Sequence, residues 1–376
     1  MTQPTDLLPE GLADRLPGDA ERITKAMRAC LDVLDRHSYD RVRPPLLEFE
    51  RSLASRMHQD GEAAIARAMF RMTDPASLRT LALRSDITPQ IGRIAATSLQ
   101  GSARPLRLAY CGDTAIIRAS QLDPARERLQ LGAELIGADT VAAASEIVVL
   151  AVEALRSAGL HGISVDFTLP DLVDTIAAQD RSLDRTTIAA IQHELETKDA
   201  GGLAAVGGEA YLPLLYATGP FAEALPALRA LDPGGALASR LDGLEAIAAR
   251  LSELGDQAPD ITLDPTERYG FEYQSWFGFT LYAEGVRGSA GRGGTYTIGG
   301  SDEPATGFTL YLDRCALALP QPERAAMIYL ATGHDAMRAA ELRAEGWRTC
   351  AALSEDEDAA ALGCTHILRG ADIDPL

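Results

Sequence analysis

The chain reads as an α+β protein: an amphipathic sheet flanked by helices, interrupted by a helical insertion and followed by a small α/β unit. Three observations lead there. Leu129, Leu131, Ala133 and Leu135 alternate with Gln130, Gly132 and Glu134, and Phe308, Leu310 and Leu312 alternate with Thr309, Tyr311 and Asp313, the period-two pattern of strands with one apolar face. Residues 171–255 change texture to Ala, Leu, Glu and Asp broken by Gly201, Gly202, Pro213, Pro220 and Pro233-Gly234-Gly235, as short amphipathic helices do. From Glu323 the chain alternates MIYLATG, HDAMRAAELRAEG, WRTCAAL, SEDEDAAALG and CTHILRG, which predicts strand, helix, strand, helix, strand with parallel pairing.

The elements follow in chain order. Ile23, Met27, Leu31 and Leu34 recur at helical spacing within Ala20 to Asp35, predicting a helix with one buried side. RVRPPLLEF continues as an extended segment marked by proline, because the residue before a proline is pushed out of the helical region. Central strands follow within Leu81 to Gly137. Thr140 to Leu155, apolar but interrupted by Glu146 and Glu153, reads as a helix lying on the sheet and not as a membrane span. HGISVDFTLP predicts a strand with Val165 and Phe167 on one face, and strand-like residues return from Arg268 to Leu317.

The polar positions on the central strand point towards binding. Gly132, between Gln130 and Glu134, takes a side chain off the sheet surface, so that a ligand can approach the backbone with an amide and a carboxylate on either side. That arrangement suits a small zwitterion; a solvated sheet face with a packing glycine has the same spacing.

Composition narrows the classes of function. With 376 residues there is room for two or three domains. The net charge is −19, from 54 acidic and 35 basic residues, and this acidity argues against a nucleic-acid-binding surface, which needs cations to neutralise phosphates. Only Lys25 and Lys198 are lysines. The five cysteines, Cys30, Cys111, Cys315, Cys350 and Cys364, are odd in number and never spaced as CxxC, so we expect a reducing cytoplasm and neither a disulfide framework nor a zinc site. His193 is followed by Glu194 without a second histidine three residues on, so the metalloprotease pattern is absent. No GxxxxGK[ST] loop, GxGxxG turn or GxSxG elbow occurs, and no basic, apolar leader opens the chain. No metal, no cofactor and no membrane span is expected.

Six segments, in order, resemble the core of class II aminoacyl-tRNA synthetases, specifically the histidyl-tRNA synthetase branch. LLPEGLADRLPGDAERI is similar to its opening segment and YDRVRPPLLEFE to motif 1, with Pro45 at the dimer-interface proline. LALRSDITPQIGR is similar to the amino-acid-binding segment, QLGAELIG to the end of motif 2, GRGGTYTIGG to the glycine-rich ligand loop and GFTLYLDRC to motif 3. The resemblance implies a class II synthetase-like antiparallel sheet over residues 1–170 and 256–318, a helical insertion over 171–255, and over 319–376 a truncated relative of the anticodon-binding domain. It also implies a candidate histidine-binding set: Asp86, Thr88, Gln130, Glu134, Tyr273 and Tyr296.

The departures from that pattern matter as much. The motif 2 arginine that holds ATP phosphate falls on Ile116, with Arg118 two residues out of register. In RYGFEYQSWFGF the catalytic arginine falls on Tyr269, beside Arg268, and Thr295 stands where the glycine-rich loop carries arginine. Tyr311 occupies a place where the synthetases prefer glycine, and there it would intrude on an adenine pocket; Arg314 of motif 3 remains. Amino-acid activation needs cations at the triphosphate. With PEG at Pro9 to Gly11, LRSDITPQI at Leu83 to Ile91, SQL at Ser120 to Leu122 and QLGAELIG at Gln130 to Gly137, the chain is similar to a synthetase paralogue, the regulatory subunits of ATP phosphoribosyltransferase. That resemblance implies a catalytically silent cytoplasmic subunit of the first step of histidine biosynthesis. Its expected partners are the short-form catalytic subunit, a second copy of itself within a hetero-oligomer, and histidine as effector, with no tRNA. The other reading it leaves open is a histidyl-tRNA synthetase-like ligase that forms an aminoacyl adenylate.

Overall fold

In a computed structural model of the protein, the described residues are 8–54, 69–117, 124–179, 183–268, 274–321 and 325–376. The chain divides into two units, Met1–Pro320 and Gln321–Leu376. In chain order the strands of the first are β1 (Asp40–Arg41), β2 (Leu47–Phe49), β3 (Arg71–Thr73), β4 (Thr80–Leu83), β5 (Leu106–Ala115), β6 (Glu127–Ile136), β7 (Ser164–Thr168), β8 (Gly219–Pro220), β9 (Asp260–Leu263), β10 (Gln274–Tyr282), β11 (Gly291–Ile298) and β12 (Glu303–Tyr311). Nine of them form one sheet in the order β1-β5-β6-β12-β11-β10-β7-β9-β8. From β5 to β7 every neighbouring pair is antiparallel; β1 with β5 and β7 with β9 are parallel. This is the mixed α+β architecture expected from the alternating segments.

One face of the sheet is apolar and covered by helices. Leu131, Ala133 and Leu135 of β6, Phe308 and Leu310 of β12, and Phe277, Phe279 and Leu281 of β10 share a core with the helix Val141–Ser157. Thr140 caps that helix by accepting from Ala143 N at 3.3 Å, and Ile147, Leu150, Ala151, Ala154 and Leu155 are buried. The N-terminal helix Pro17–Arg36 packs against it. Its buried stripe is Ile23, Ala26, Cys30 and Leu34, while Met27 and Leu31 are only partly buried beside it. The stripe is therefore narrower than the large apolar residues alone predict, because Ala26 and Cys30 let the two helices approach closely. Each fully buried large side chain contributes roughly 1.5–3 kcal/mol, and Phe167 meets Phe221 and Phe277 edge-on at 5.6 and 5.5 Å.

Residues 171–255 fold as the short helices Leu172–Ala177, Arg185–Glu196, Ala200–Ala205, Phe221–Ala230 and Ala238–Ser252, with a 3-10 stretch at Glu209–Tyr216. Asp184 and Asp199 cap two of them through the backbone N–H groups of Thr187 and Gly202, each at 2.8 Å. The last helix packs on Val141–Ser157. The three remaining strands make a small antiparallel sheet, β2-β4-β3.

The second unit holds β13 (Met327–Leu330), the helix Ala336–Ala344, β14 (Arg348–Ala351), β15 (His366–Arg369) and β16 (Asp372–Pro375). Both neighbours of β13 are parallel to it, as the alternation predicts, and β16 pairs antiparallel with β15. One expectation is corrected. SEDEDAAALG forms turns and no helix: Asp358 accepts from the backbone of Ala360 at 2.9 Å and Glu357 from that of Leu353 at 3.2 Å, and such local side-chain bonds compete with a helical ladder. ADIDPL, on which the alternation is silent, supplies β16.

Candidate functional site: a polar sheet face built on glycines

The face of the sheet opposite the helices is polar and still largely buried. Cross-strand register sets Tyr110, Gly132, Thr309 and Arg292 in one row, and Leu108, Glu134, Gly307 and Gly294 in the next. Each glycine leaves space that a neighbouring polar side chain fills. A Cβ at Gly307 would lie 1.7 Å from Glu134 Oε2, at Gly132 2.5 Å from the Tyr110 hydroxyl, at Gly112 2.2 Å from an Arg84 nitrogen and at Gly294 2.4 Å from Gln274 Nε2. The side chains thus lie flat on the sheet. Gly132 does remove a side chain from the surface, but the phenol of Tyr110, not a ligand, occupies the opening.

Glu134 is the centre of this face. It is 1% exposed and accepts from the Tyr296 hydroxyl at 2.9 Å, Thr88 Oγ1 at 3.1 Å and the Tyr110 hydroxyl at 3.4 Å. Tyr110 shares a 2.7 Å hydrogen bond with Thr309 Oγ1. Burial pushes the Glu134 carboxyl up to about 8; the three hydroxyls pull it down and the Asp86 carboxylate pushes it further up. Near neutrality Glu134 therefore holds its proton. Asp86 is also raised by burial, and its Oδ1 accepts from Thr88 N at 3.0 Å, which starts the helix Thr88–Ala96.

Of the candidate residues, Thr88, Glu134 and Tyr296 line one crevice, together with Gln274, Arg292 and Thr309. Gln130 is placed differently: it is 5% exposed and its Oε1 accepts from Ile87 N at 3.1 Å, so it fixes the Asp86–Thr88 segment from below. Asp86 binds the backbone N–H of Thr88, the first residue of that helix, and its carboxylate acts on Glu134. Tyr273 lies outside the described residues, as do Tyr269 and Arg118. The crevice encloses ≈ 20 Å³, space for a water molecule and not for an imidazole. Sequence reasoning missed Tyr110, Thr309 and Arg292. Their signal is parity: Tyr110 continues the alternation Leu106, Leu108, and Arg292 shares the parity of Tyr296 on one strand.

The positions that depart from the synthetase pattern also have definite places. Thr295 is fully buried on the helix side, where Ser275 Oγ donates to its Oγ1 at 2.8 Å and Phe277 N at 3.2 Å. Its hydroxyl therefore ties β10 to β11 and does not reach the polar face. Tyr311 is half-buried on the polar face, with the Arg314 guanidinium 4.6 Å from its ring centre, and Arg314 donates to Ser289 O and Oγ at 3.3 and 3.0 Å. Ile116 bonds through its backbone to Arg126.

A larger groove of ≈ 880 Å³ lies on the helix side, lined by His37, Arg107, Glu146 and Arg250 among others. Its charges serve one another: Arg107 donates twice to Glu146 at 2.9 Å, Tyr39 donates to Glu146 at 2.8 Å, and His37 lies 2.8 Å from Glu153. Its size exceeds that of the crevice, but its charges pair with one another, whereas the crevice gathers a carboxyl, hydroxyls and a guanidinium on one face of the sheet. Among the described residues no three His, Cys, Asp or Glu side chains gather to hold a metal ion, and no helix is long and apolar enough to cross a membrane.

Comparison with known proteins fits this geometry. The family model for histidyl-tRNA synthetase matches residues 11–315. The ATP phosphoribosyltransferase regulatory subunit of Rhodospirillum centenum is 40% identical over 375 residues, covering 98% of this chain and 95% of that protein. That of Paramagnetospirillum magneticum is 42% identical over 374 residues, covering 96% of each. Among solved structures, one described as an ATP phosphoribosyltransferase regulatory subunit/histidyl-tRNA synthetase from Bacillus halodurans superposes with a TM-score of 0.81 at 24% identity, covering 96% of this chain and 97% of that one. Histidyl-tRNA synthetase from Nostoc superposes at 0.76 with 15% identity, covering 96% and 90%; both likenesses concern the fold. On the full-length matches to its relatives, the chain belongs to the family of ATP phosphoribosyltransferase regulatory subunits, built on a histidyl-tRNA synthetase-like core.

Proposed function

We propose that this protein is a catalytically silent regulatory subunit of ATP phosphoribosyltransferase, acting in the cytoplasm in the first step of histidine biosynthesis. It activates a short-form catalytic subunit, and histidine, taken up on the polar face at Thr88, Glu134 and Tyr296, reverses the activation. Glu134 carries this reading. A buried carboxyl held by three hydroxyls beside a polar crevice is a receptor for a cationic group, on a chain whose full-length relatives are named regulatory subunits. Ligation lacks comparable support: the hydroxyl of Thr295 is turned to the other side of the sheet, and Ile116 offers no cation to a phosphate.

Self-association through the motif 1 region belongs to the same proposal. In the small sheet, register aligns Leu47 with Leu83, and Phe49 and Met72 with Leu81, which sets five large apolar side chains on one face. None of them is buried, and Leu47 and Met72 are 38% and 45% exposed. An apolar sheet face of this kind is an interface by composition, and the exposed Pro45, whose carbonyl accepts from Gln90 Nε2 at 2.7 Å, adjoins it. We assign it to a second copy of the chain.

The test is phosphoribosyltransferase activity of the short catalytic subunit alone, with this protein, and with this protein plus histidine. Activity that rises on addition and falls with histidine is the expected result. No activation and no co-elution would sink the proposal, and histidine-dependent exchange of pyrophosphate into ATP would replace it with the ligase.

A further inference from the structure

The crevice has two chemically different ends. Glu134 reaches across Gly307, whose cross-strand partner on β11 is Gly294, and Arg292 stands two residues along β11 on the same face, opposite Thr309. One strand spacing and a two-residue step separate the carboxyl from the Arg292 backbone by about 8 Å. Both side chains line the crevice. Among the described residues lining the crevice, Arg292 is the one that carries a cation.

We propose that Arg292 is the α-carboxylate anchor of the effector site, and that the ligand it selects is an intact α-amino acid lying diagonally between Arg292 and Glu134. A guanidinium takes a carboxylate through two parallel N–H donors, while Glu134, at the other end, takes the ligand's cationic or N–H-bearing part. The hydroxyls of Thr88, Tyr296 and Thr309 line the same crevice. Carboxylate recognition keeps out amines and amino alcohols with the same side chain. This inference rests on the reading that the crevice takes an amino acid.

The test is calorimetric titration of the full-length protein with histidine and with histidinol, in which a hydroxymethyl group replaces the carboxylate. Wild type is expected to favour histidine by roughly 100-fold or more, since a site built for a polar group rejects the analogue lacking it. Arg292→Met should bring the two affinities to within about 3-fold, and Arg292→Lys should restore part of the preference. Glu134→Gln should weaken both titrants and leave their ratio unchanged. If wild type binds histidinol as tightly as histidine, the proposal fails whatever the variants do, and an unchanged ratio in a folded Arg292→Met protein overturns it too. In either case the amino-acid site itself stands. If wild type binds neither titrant, the site reading falls and this inference with it. Pyrophosphate binding that depends on Arg292, with histidine binding that does not, would assign the guanidinium to a phosphate instead.

Discussion

Glu134→Gln isolates the electrostatics of the polar face. Burial sets the carboxyl at about 8 against an ordinary value of 4.5. Between those two pH values the folded protein holds a proton that the unfolded chain has released. Stability must then fall as pH rises through the window, by about 1.4 kcal/mol per pH unit and by at most about 5 kcal/mol in all. Below 4.5 the carboxyl is protonated in both states, and above 8 it is charged in both, so the penalty stops growing at either edge. Glutamine has the shape of the protonated acid and does not titrate. The advantage of the variant over wild type should therefore grow by about 3 kcal/mol between pH 5.5 and 7.5. Urea unfolding followed through Trp276, whose indole N–H donates to Asp139 O at 2.9 Å within the first unit, reads this difference as diverging midpoints. Parallel midpoint curves for wild type and variant would show Glu134 charged in the folded state, and the argument from burial would be wrong.

Three further substitutions probe the same architecture. Gly307→Ala puts a Cβ 1.7 Å from Glu134 Oε2 and 2.8 Å from the Ala133 carbonyl; it should cost about 1–3 kcal/mol in thermal or urea unfolding and abolish any histidine response. Tyr110→Phe removes the hydroxyl that bonds Thr309 at 2.7 Å and should cost about 1–3 kcal/mol, because a buried partner is left unsatisfied; an unchanged melting temperature would show that water replaces it. Leu47→Glu with Met72→Glu should convert a dimer to a monomer in sedimentation without lowering the unfolding temperature of the monomer, since both side chains are exposed.

Periodicity in the sequence located the sheet well, because a strand with one covered face writes its pattern every second residue. Val165 and Phe167 are buried together, as are Leu131, Ala133 and Leu135. The same pattern misled about the other face. Gln130 and Glu134 look solvated by residue type, yet they are 5% and 1% exposed, because Tyr110 and the helix Thr88–Ala96 cover them. Alternation reports which side chains share a face and not what lies over that face. Partners from distant segments were invisible for the same reason: Tyr110 reaches Thr309 across 199 positions of sequence. The tail shows the complementary limit. Acid-rich SEDEDAAALG has the apolar spacing of a helix start, but its carboxylates bind the backbone locally.

The small size of the crevice bears on how an effector would act. A space of ≈ 20 Å³ cannot accept an amino acid while Glu134, Tyr110 and Arg292 keep these positions, so binding must be coupled to rearrangement of the side chains lying over the glycines. A ligand shifts an equilibrium only by its differential affinity for two arrangements. A site closed in one arrangement and open in the other supplies such a difference with no need for a second pocket. Glu134 adds a proton to the exchange. Taking up a cation favours its charged form, so that binding releases a proton below about pH 8 and affinity for histidine should rise up to about tenfold per pH unit between 6 and 8. Calorimetry in buffers of different ionisation enthalpy measures that proton directly. Release of none at pH 7 would mean that Glu134 stays neutral in the bound state and acts as a hydrogen-bonding group, not as a counter-ion.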